Sequence, residues 1–275
     1  MAGTKNQMAM EGKLNADLDN DEKNRRDKKN TARAWHSLPK LTIISGVYTV
    51  REIMDVLAAR RQMVDQQIRT WEVLDPRVLD ALSAVPREAF VPAAYRELAF
   101  ADAPIPIGFG QTMLAPKIQG RILQALAPGA ADSVLEVGSG TGYLSACLSL
   151  LGRSTHSIDI HAELSDTSRT NLREVPGARV QFETRDAFAA GALGKVGGPG
   201  EYDVVAVTGS LPIYDTRFEQ ALRVGGRLFV IVGAPPVMDA ILVRRVDGNE
   251  WTRESLFETV IEPLVNAAAA QKFVF

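Results

Sequence analysis

The run Val134-Leu-Glu-Val-Gly138-Ser-Gly140-Thr-Gly142-Tyr143 reads as a strand, a glycine turn and the first residue of a helix. Glycines at alternate positions let the backbone turn sharply and let a ligand approach with no Cβ in the way. In a doubly wound α/β sheet this junction, at the C-terminal end of a strand, is where a nucleotide-like ligand lies. A dinucleotide fingerprint needs its third glycine five residues after the first. Tyr143 occupies that position, so the match to a nicotinamide dinucleotide site fails.

Working outward, Ser133–Val137, Thr155–Ile158, Val180–Thr184, Val204–Val207 and Leu228–Val232 are short β-rich runs. Helical stretches between them begin near Tyr143, Ala162, Ala187 and Phe218. This alternation predicts right-handed βαβ crossovers and a doubly wound, mostly parallel, Rossmann-like sheet. Asp247-Gly248 lies between the strand-like runs Asp239–Val246 and Trp251–Ile261 and predicts a C-terminal antiparallel hairpin. Upstream, Val56, Leu57, Met63, Val64 and Ile68 recur at helical spacing over Asp55–Arg69. Asp75-Pro76 should cap a short helix with Val78, Leu79 and Leu82 inside. Pro86–Thr112 reads as an ordered loop system, since its Pro and Gly accompany Phe90, Tyr95 and Phe100. A further helix should start at Pro116, run to about Leu126 and end at Pro128-Gly129.

This layout predicts a helical and substrate-loop region over 54–130 and a cofactor-binding core over 131–275, together one compact domain. Residues 1–53 are expected to be a tail or an extension. Met1 to Lys40 carries the charged run Asp17–Lys29 with almost nothing apolar to bury, and should be disordered. Leu41–Val50 is β-prone with no pairing partner nearby, and Met54, where helical patterning begins, is a candidate start.

Three carboxylates discriminate among ligands. Glu136 stands just before the glycines, Asp159 at the end of the second strand and Asp186 just after the third, so all three should face one crevice. Glu136 would repel a pyrophosphate and attract S-adenosylmethionine, which carries an ammonium and a sulfonium and no phosphate. Asp159, about twenty residues beyond the first glycine, suits the two ribose hydroxyls. Asp186 is placed for the adenine amino group, with helix N-capping as its alternative role. Gly138, Ser139, Gly140, Thr141, Gly142, Ile160, Ala187 and Thr208 complete the expected cofactor-binding set.

Composition narrows the function classes. The hydrophobic fraction is 46%, the charged fraction 23% and the net charge -2, with no basic stripe to call for nucleic acid or an anionic membrane. No apolar run is long enough to span a bilayer, and no signal-peptide pattern opens the chain. The single cysteine, Cys147, excludes an intrachain disulfide and fits a reducing compartment. A cytoplasmic location follows by elimination.

From about Arg60 onward the chain resembles protein-L-isoaspartate O-methyltransferases. The resemblance is carried by Met63–Ile68, Val85-Pro-Arg-Glu-Ala-Phe-Val-Pro92, Ala99–Thr112, Ala115-Pro116, the glycine loop and Val224-Gly-Gly-Arg-Leu228. The segment Pro106-Ile-Gly-Phe-Gly-Gln-Thr112 is more specific than the loop. The resemblance implies S-adenosylmethionine-dependent methylation of the L-isoaspartyl carboxylate in damaged proteins, the first step of their repair. It places Gln111 and Thr112 at the catalytic centre. The family usually reads Gly-Gln-Thr-Ile-Ser here, with the serine near the substrate carboxylate, whereas this chain reads Gly110-Gln-Thr-Met-Leu114. Leucine cannot donate a hydrogen bond, so Thr112 is either a substitute hydroxyl or a turn residue. The alternatives are a different small-molecule or protein acceptor, or a cofactor-binding module without turnover. A nucleic-acid amino-methyltransferase is disfavoured, because Thr208-Gly-Ser-Leu211 replaces the Asn/Asp-Pro-Pro-Tyr/Phe of such enzymes.

A carboxylate is already a competent nucleophile near neutral pH, so in-line methyl transfer needs no general base, and positioning should dominate. His36, His156 and His161 are accordingly read as tail, strand and helix-start residues. Cys147, Trp71, Trp251 and the phenylalanines are read as core, and Glu258 and Glu262 as solvated. Pro104–Thr112 is the candidate lid. Lys117 or Arg121 is a candidate for attracting substrate, and Ser210 for a hydroxyl near the cofactor. No metal-ligand cluster stands out.

Overall fold

The structure, a computed structural model, describes residues 41–43, 46–48, 50–193 and 200–269. The chain divides into two compact units, Met1–Ala58 and Ala59–Phe275. In the first, strands β1 (Leu41–Ile43) and β2 (Gly46–Tyr48) pair antiparallel, Leu41 opposite Tyr48. The β-prone stretch thus finds its partner within itself, where none was expected. Helix α1 (Val50–Met63) begins four residues before Met54. The tail expected to be disordered, 1–40, lies outside the described residues.

In the second unit the helical path continues from Met63 through a π turn (Val64–Ile68) and a 3-10 turn (Arg69–Trp71). Met63, Val64 and Ile68 are buried as their spacing predicts, while Leu57 is exposed. Helix α2 (Pro76–Ala84) has Asp75 as its cap, accepting from the Arg77 N–H at 2.9 Å, with Val78 and Leu82 buried. The Pro/Gly-rich segment is more regular than a loop. It holds a helical turn α3 (Arg87–Phe90), a 3-10 stretch (Ala93–Leu98) and the hairpin of β3 (Ile105–Gly108) and β4 (Gln111–Met113). Helix α4 (Pro116–Leu126) is stopped by Ala127, in the left-handed region at φ 40, one residue ahead of Pro128-Gly129. Gly120 lets α4 approach the π turn closely: a Cβ there would lie 2.8 Å from Ile68 Cγ2.

The main sheet has seven strands in the order β11-β10-β9-β8-β5-β6-β7. They are β5 (Ser133–Val137), β6 (Ser154–Asp159), β7 (Val180–Thr184), β8 (Tyr202–Leu211), β9 (Leu222–Ala234), β10 (Val237–Asp247) and β11 (Glu250–Thr259). The five strands β5 to β9 run parallel, and β10 and β11 add antiparallel pairings across the Asp247-Gly248 turn. Every residue of β5 is buried, as befits a central strand covered on both faces. Helices α5 (Tyr143–Leu151), α6 (Ala162–Asn171) and α7 (Arg217–Gln220) form crossovers. The helix expected from Ala187 does not form. Residues 187–193 are turns, and Gly191 at φ 72 leaves too few residues for a stable nucleus. After β5 the chain builds outward through β6 and β7, then returns to lay β8 on the other side of β5. That reversal opens a crevice at the C-terminal ends of β5 and β8. Cys147 packs wholly buried under the sheet, where burial pushes its thiol up to about 12. Among the described residues no helix is long and apolar enough to cross a membrane.

Candidate active site

The crevice at the switch point is a cavity of about 820 Å³, part of it open to solvent. One wall is the glycine loop and the strand ends. Gly138, Gly140 and Gly142 have φ of 98, 53 and 89, a region glycine enters without steric cost. At Gly138 the requirement is also spatial: a Cβ would lie 2.4 Å from Thr208 Oγ1, which donates to the carbonyls of Val137 at 3.0 Å and Gly138 at 2.7 Å. Gly138, Ser139, Gly140, Thr141, Ile160, Ala187 and Thr208 all line the cavity. Gly142 does not line it; a Cβ there would meet Ser168, so this glycine seats the loop on α6.

The three carboxylates come together as expected, in different states. Glu136 is 0% exposed. Its Oε2 accepts from the hydroxyls of Ser145 and of Ser157, the latter at 2.6 Å, and its Oε1 is buried with no hydrogen-bond partner. Burial pushes its carboxyl up to about 8, against the pull of the two serines. Asp159 accepts from Ser139 Oγ at 3.2 Å, the Gly140 N–H at 3.0 Å and the His161 N–H at 2.9 Å, which fixes the loop. Asp186 caps a turn rather than a helix, accepting from the Phe188 N–H at 2.8 Å, and its other oxygen takes Asn266 Nδ2 at 2.9 Å.

The facing wall is the β3–β4 hairpin, the first turn of α4 and the pair Leu264 and Val265. Ile107, Gln111, Thr112, Met113, Leu114 and Gln119 line it. The expected lid is this hairpin, with Gly108, Phe109 and Gly110 at its tip at φ 95, 56 and 69. Phe109 leaves the core and stacks on His161, centroids 4.2 Å apart, so His161 is a cavity residue as well as a helix-start residue. Thr112 Oγ1 donates to Glu262 Oε2 at 3.0 Å, so Glu262 is not simply solvated. Gln111 Nε2 reaches the Pro263 carbonyl at 3.4 Å.

Several candidates lie elsewhere. Lys117 pairs with Asp102 at 2.7 Å and lies over the half-exposed Trp71, and Arg121 bonds Glu72; neither lines the cavity. Ser210 is buried outside it and pins the C-terminal segment, its Oγ donating to the Ile261 carbonyl at 3.2 Å. His156 is held between Tyr202 and Glu183 within the sheet, and burial lowers its pKa.

Two features escaped the sequence. One is the C-terminal segment, held by Ser210 N–H to the Glu262 carbonyl and Leu264 N–H to the Ser210 carbonyl, which brings Leu264 and Val265 into the cavity. Gly209 inside a strand was its signal, since a Cβ there would lie 2.7 Å from Leu264 Cδ2. The other is Arg87, fully buried behind Leu114 and Gln119. It donates to the Ala99 carbonyl at 2.8 Å, to Gln119 Oε1 and to the Leu114 carbonyl at 2.8 Å.

A parallel sheet with this switch point, a glycine loop and acids at successive strand ends define a Rossmann-like, S-adenosylmethionine-dependent methyltransferase. The sequence model of "Protein-L-isoaspartate(D-aspartate) O-methyltransferase (PCMT)" matches residues 58–268. The chain belongs to that family. A Koribacter versatilis protein-L-isoaspartate O-methyltransferase is 37% identical over 206 residues, 75% of this chain and 90% of that one. One from Rhodopseudomonas palustris is 34% identical over 213 residues, 76% of this chain and 94% of that one. Among solved structures, a Plasmodium falciparum chain described as a protein-L-isoaspartate O-methyltransferase, in complex with S-adenosyl-L-homocysteine, aligns with a TM-score of 0.65. It covers 74% of this chain and 97% of that one at 16% identity, which shows the shared fold.

Proposed function

We propose that this chain is an S-adenosylmethionine-dependent methyltransferase acting on the carboxylate of L-isoaspartyl residues in damaged proteins, the activity its relatives are named for. The observation that carries the cofactor reading is Glu136: a fully buried carboxyl with one oxygen unpartnered beside the glycine loop. A buried charge is stable only when paired, so this site favours a ligand that brings a cation. The ammonium of S-adenosylmethionine meets that need, and a phosphate does not.

In this reading Glu136, Gly138, Ser139, Gly140, Thr141, Asp159, Ile160, Asp186, Ala187 and Thr208 hold the cofactor, and Gly142 supports the loop. Bound there, S-adenosylmethionine supplies an electrophilic methyl on a sulfonium. A carboxylate acceptor would take that methyl as the carbon–sulfur bond broke, with no general base needed, since it is already a nucleophile near neutral pH. The chain's task is to align acceptor and methyl and to exclude water. Gln111 and Thr112 shape the acceptor side from the hairpin, with Thr112 steadied by Glu262. All the residues named in this reading lie in the second unit, Ala59–Phe275. The damaged chain is the partner, nucleic acid is not, and the location is cytoplasmic. The test is methyl-labelled S-adenosylmethionine with two peptides differing only in aspartyl or isoaspartyl linkage. Base-labile label on the isoaspartyl peptide alone is expected; label on neither peptide, or equally on both, contradicts the reading.

A further inference from the structure

The acceptor side holds a polar group with no assigned role. Gln119 is 3% exposed, lines the cavity from α4, and accepts from Arg87 through Oε1. A guanidinium has no acceptor, so the oxygen of the amide must face Arg87, and Nε2 must face the other way. Nε2 has no hydrogen-bond partner among the described residues. The hydroxyl of Thr112, by contrast, is engaged with Glu262, and Leu114 offers only hydrocarbon to the cavity.

Arg87 makes the arrangement directional. It is wholly buried, has no carboxylate partner among the described residues, and lies over the Tyr143 ring at 5.0 Å. A buried cation without a counter-ion costs free energy unless an anion approaches. Its fork holds the Gln119 amide and the Leu114 carbonyl side by side, so the amide cannot rotate without breaking a charge-assisted bond. The result is an oriented N–H donor with a positive charge behind it.

We infer that Gln119 Nε2 is the donor that binds the acceptor carboxylate, and that Arg87 is the positioning residue that fixes it. This rests on the reading that the acceptor is a carboxylate. The test uses the full chain, an isoaspartyl peptide and calorimetry with S-adenosylmethionine. Gln119→Met keeps length and removes the donor. Its KM for the peptide should rise roughly ten- to a hundred-fold, the range for a hydrogen bond to a charged group, with kcat and cofactor affinity little changed. Adding Leu114→Ser to Gln119→Met restores a donor on the same wall and should recover part of the loss. Gln119→Glu keeps the bond to Arg87 but turns an oxygen toward the acceptor, so its loss should exceed that of Gln119→Met. Arg87→Lys should raise KM in the parent and have little further effect on KM in Gln119→Met, which a purely structural role would not produce. An unchanged KM in folded Gln119→Met overturns the inference while the acceptor reading stands. So does a loss that appears in cofactor affinity instead. A parent enzyme inactive on the isoaspartyl peptide overturns the acceptor reading and this inference with it.

Discussion

The two walls of the cavity are built in opposite ways. The cofactor side is local: a strand end, a glycine turn and the acids at the ends of β5 and β6 place its groups within a few residues of each motif. It leaves a buried carboxylate oxygen unpartnered, ready for a cation. The acceptor side is assembled from afar. Thr112 bonds Glu262, Gln111 reaches Pro263, and Arg87 holds Leu114 and Gln119. Most of its polar groups are already satisfied within the chain. A fixed ligand can be met by a fixed motif, whereas a variable acceptor is met by a surface that the rest of the fold positions.

Substitutions can break or sharpen this contrast. The largest effect is expected at Glu136→Gln, which removes the charge without changing volume. Cofactor binding should weaken by about 2–5 kcal/mol, the range for losing one partner of a buried pair, as read by calorimetry. Unchanged affinity would erase the distinction between the walls. Gly138→Ala comes next. At φ 98, with a Cβ 2.4 Å from Thr208 Oγ1, it should lose about 2–3 kcal/mol of stability in denaturant unfolding. Gly120→Ala, on the acceptor side, meets Ile68 Cγ2 at 2.8 Å and should lose about 1–2 kcal/mol while leaving cofactor affinity intact. The smallest effect is expected at Thr112→Val. Its hydroxyl serves Glu262, so kcat/KM should change by only about 1 kcal/mol in free-energy terms. A far larger loss would mean that the hydroxyl works on the acceptor directly.

The same contrast explains what could be read from residues alone. β5 and β7 have the predicted bounds: β5 is a buried apolar run between turn signals, and β7 is an edge strand in which Val180, Phe182 and Thr184 alternate with Gln181 and Glu183. Glu136, Asp159 and Asp186 were legible because strand ends in such a sheet face one crevice. The Leu41–Tyr48 pairing was missed because each strand has only three residues. The helix expected from Ala187 does not form, because Gly191 at φ 72 interrupts the helical path. Arg87, Gln119 and the 261–267 segment were illegible for a different reason. Their meaning lies in contacts such as Arg87 to Gln119 and Ser210 to Leu264, which no local period encodes.

The central claim is that a buried acid at the end of β5 receives the cation of the cofactor, and proton release tests it most directly. Burial raises the Glu136 carboxyl to about 8, above its ordinary 4.5, so near pH 7 it is mostly protonated until a cation favours the carboxylate. Its own contribution to folding therefore favours stability below the ordinary value and is lost as pH rises towards 8. Binding of S-adenosylmethionine should release about one proton near pH 7 and almost none well above the raised value. Titration calorimetry in two buffers of different ionisation enthalpy reads this number. The account predicts release in the parent chain and none in Glu136→Gln. Heats independent of buffer in the parent, or the same release in the variant, would contradict it.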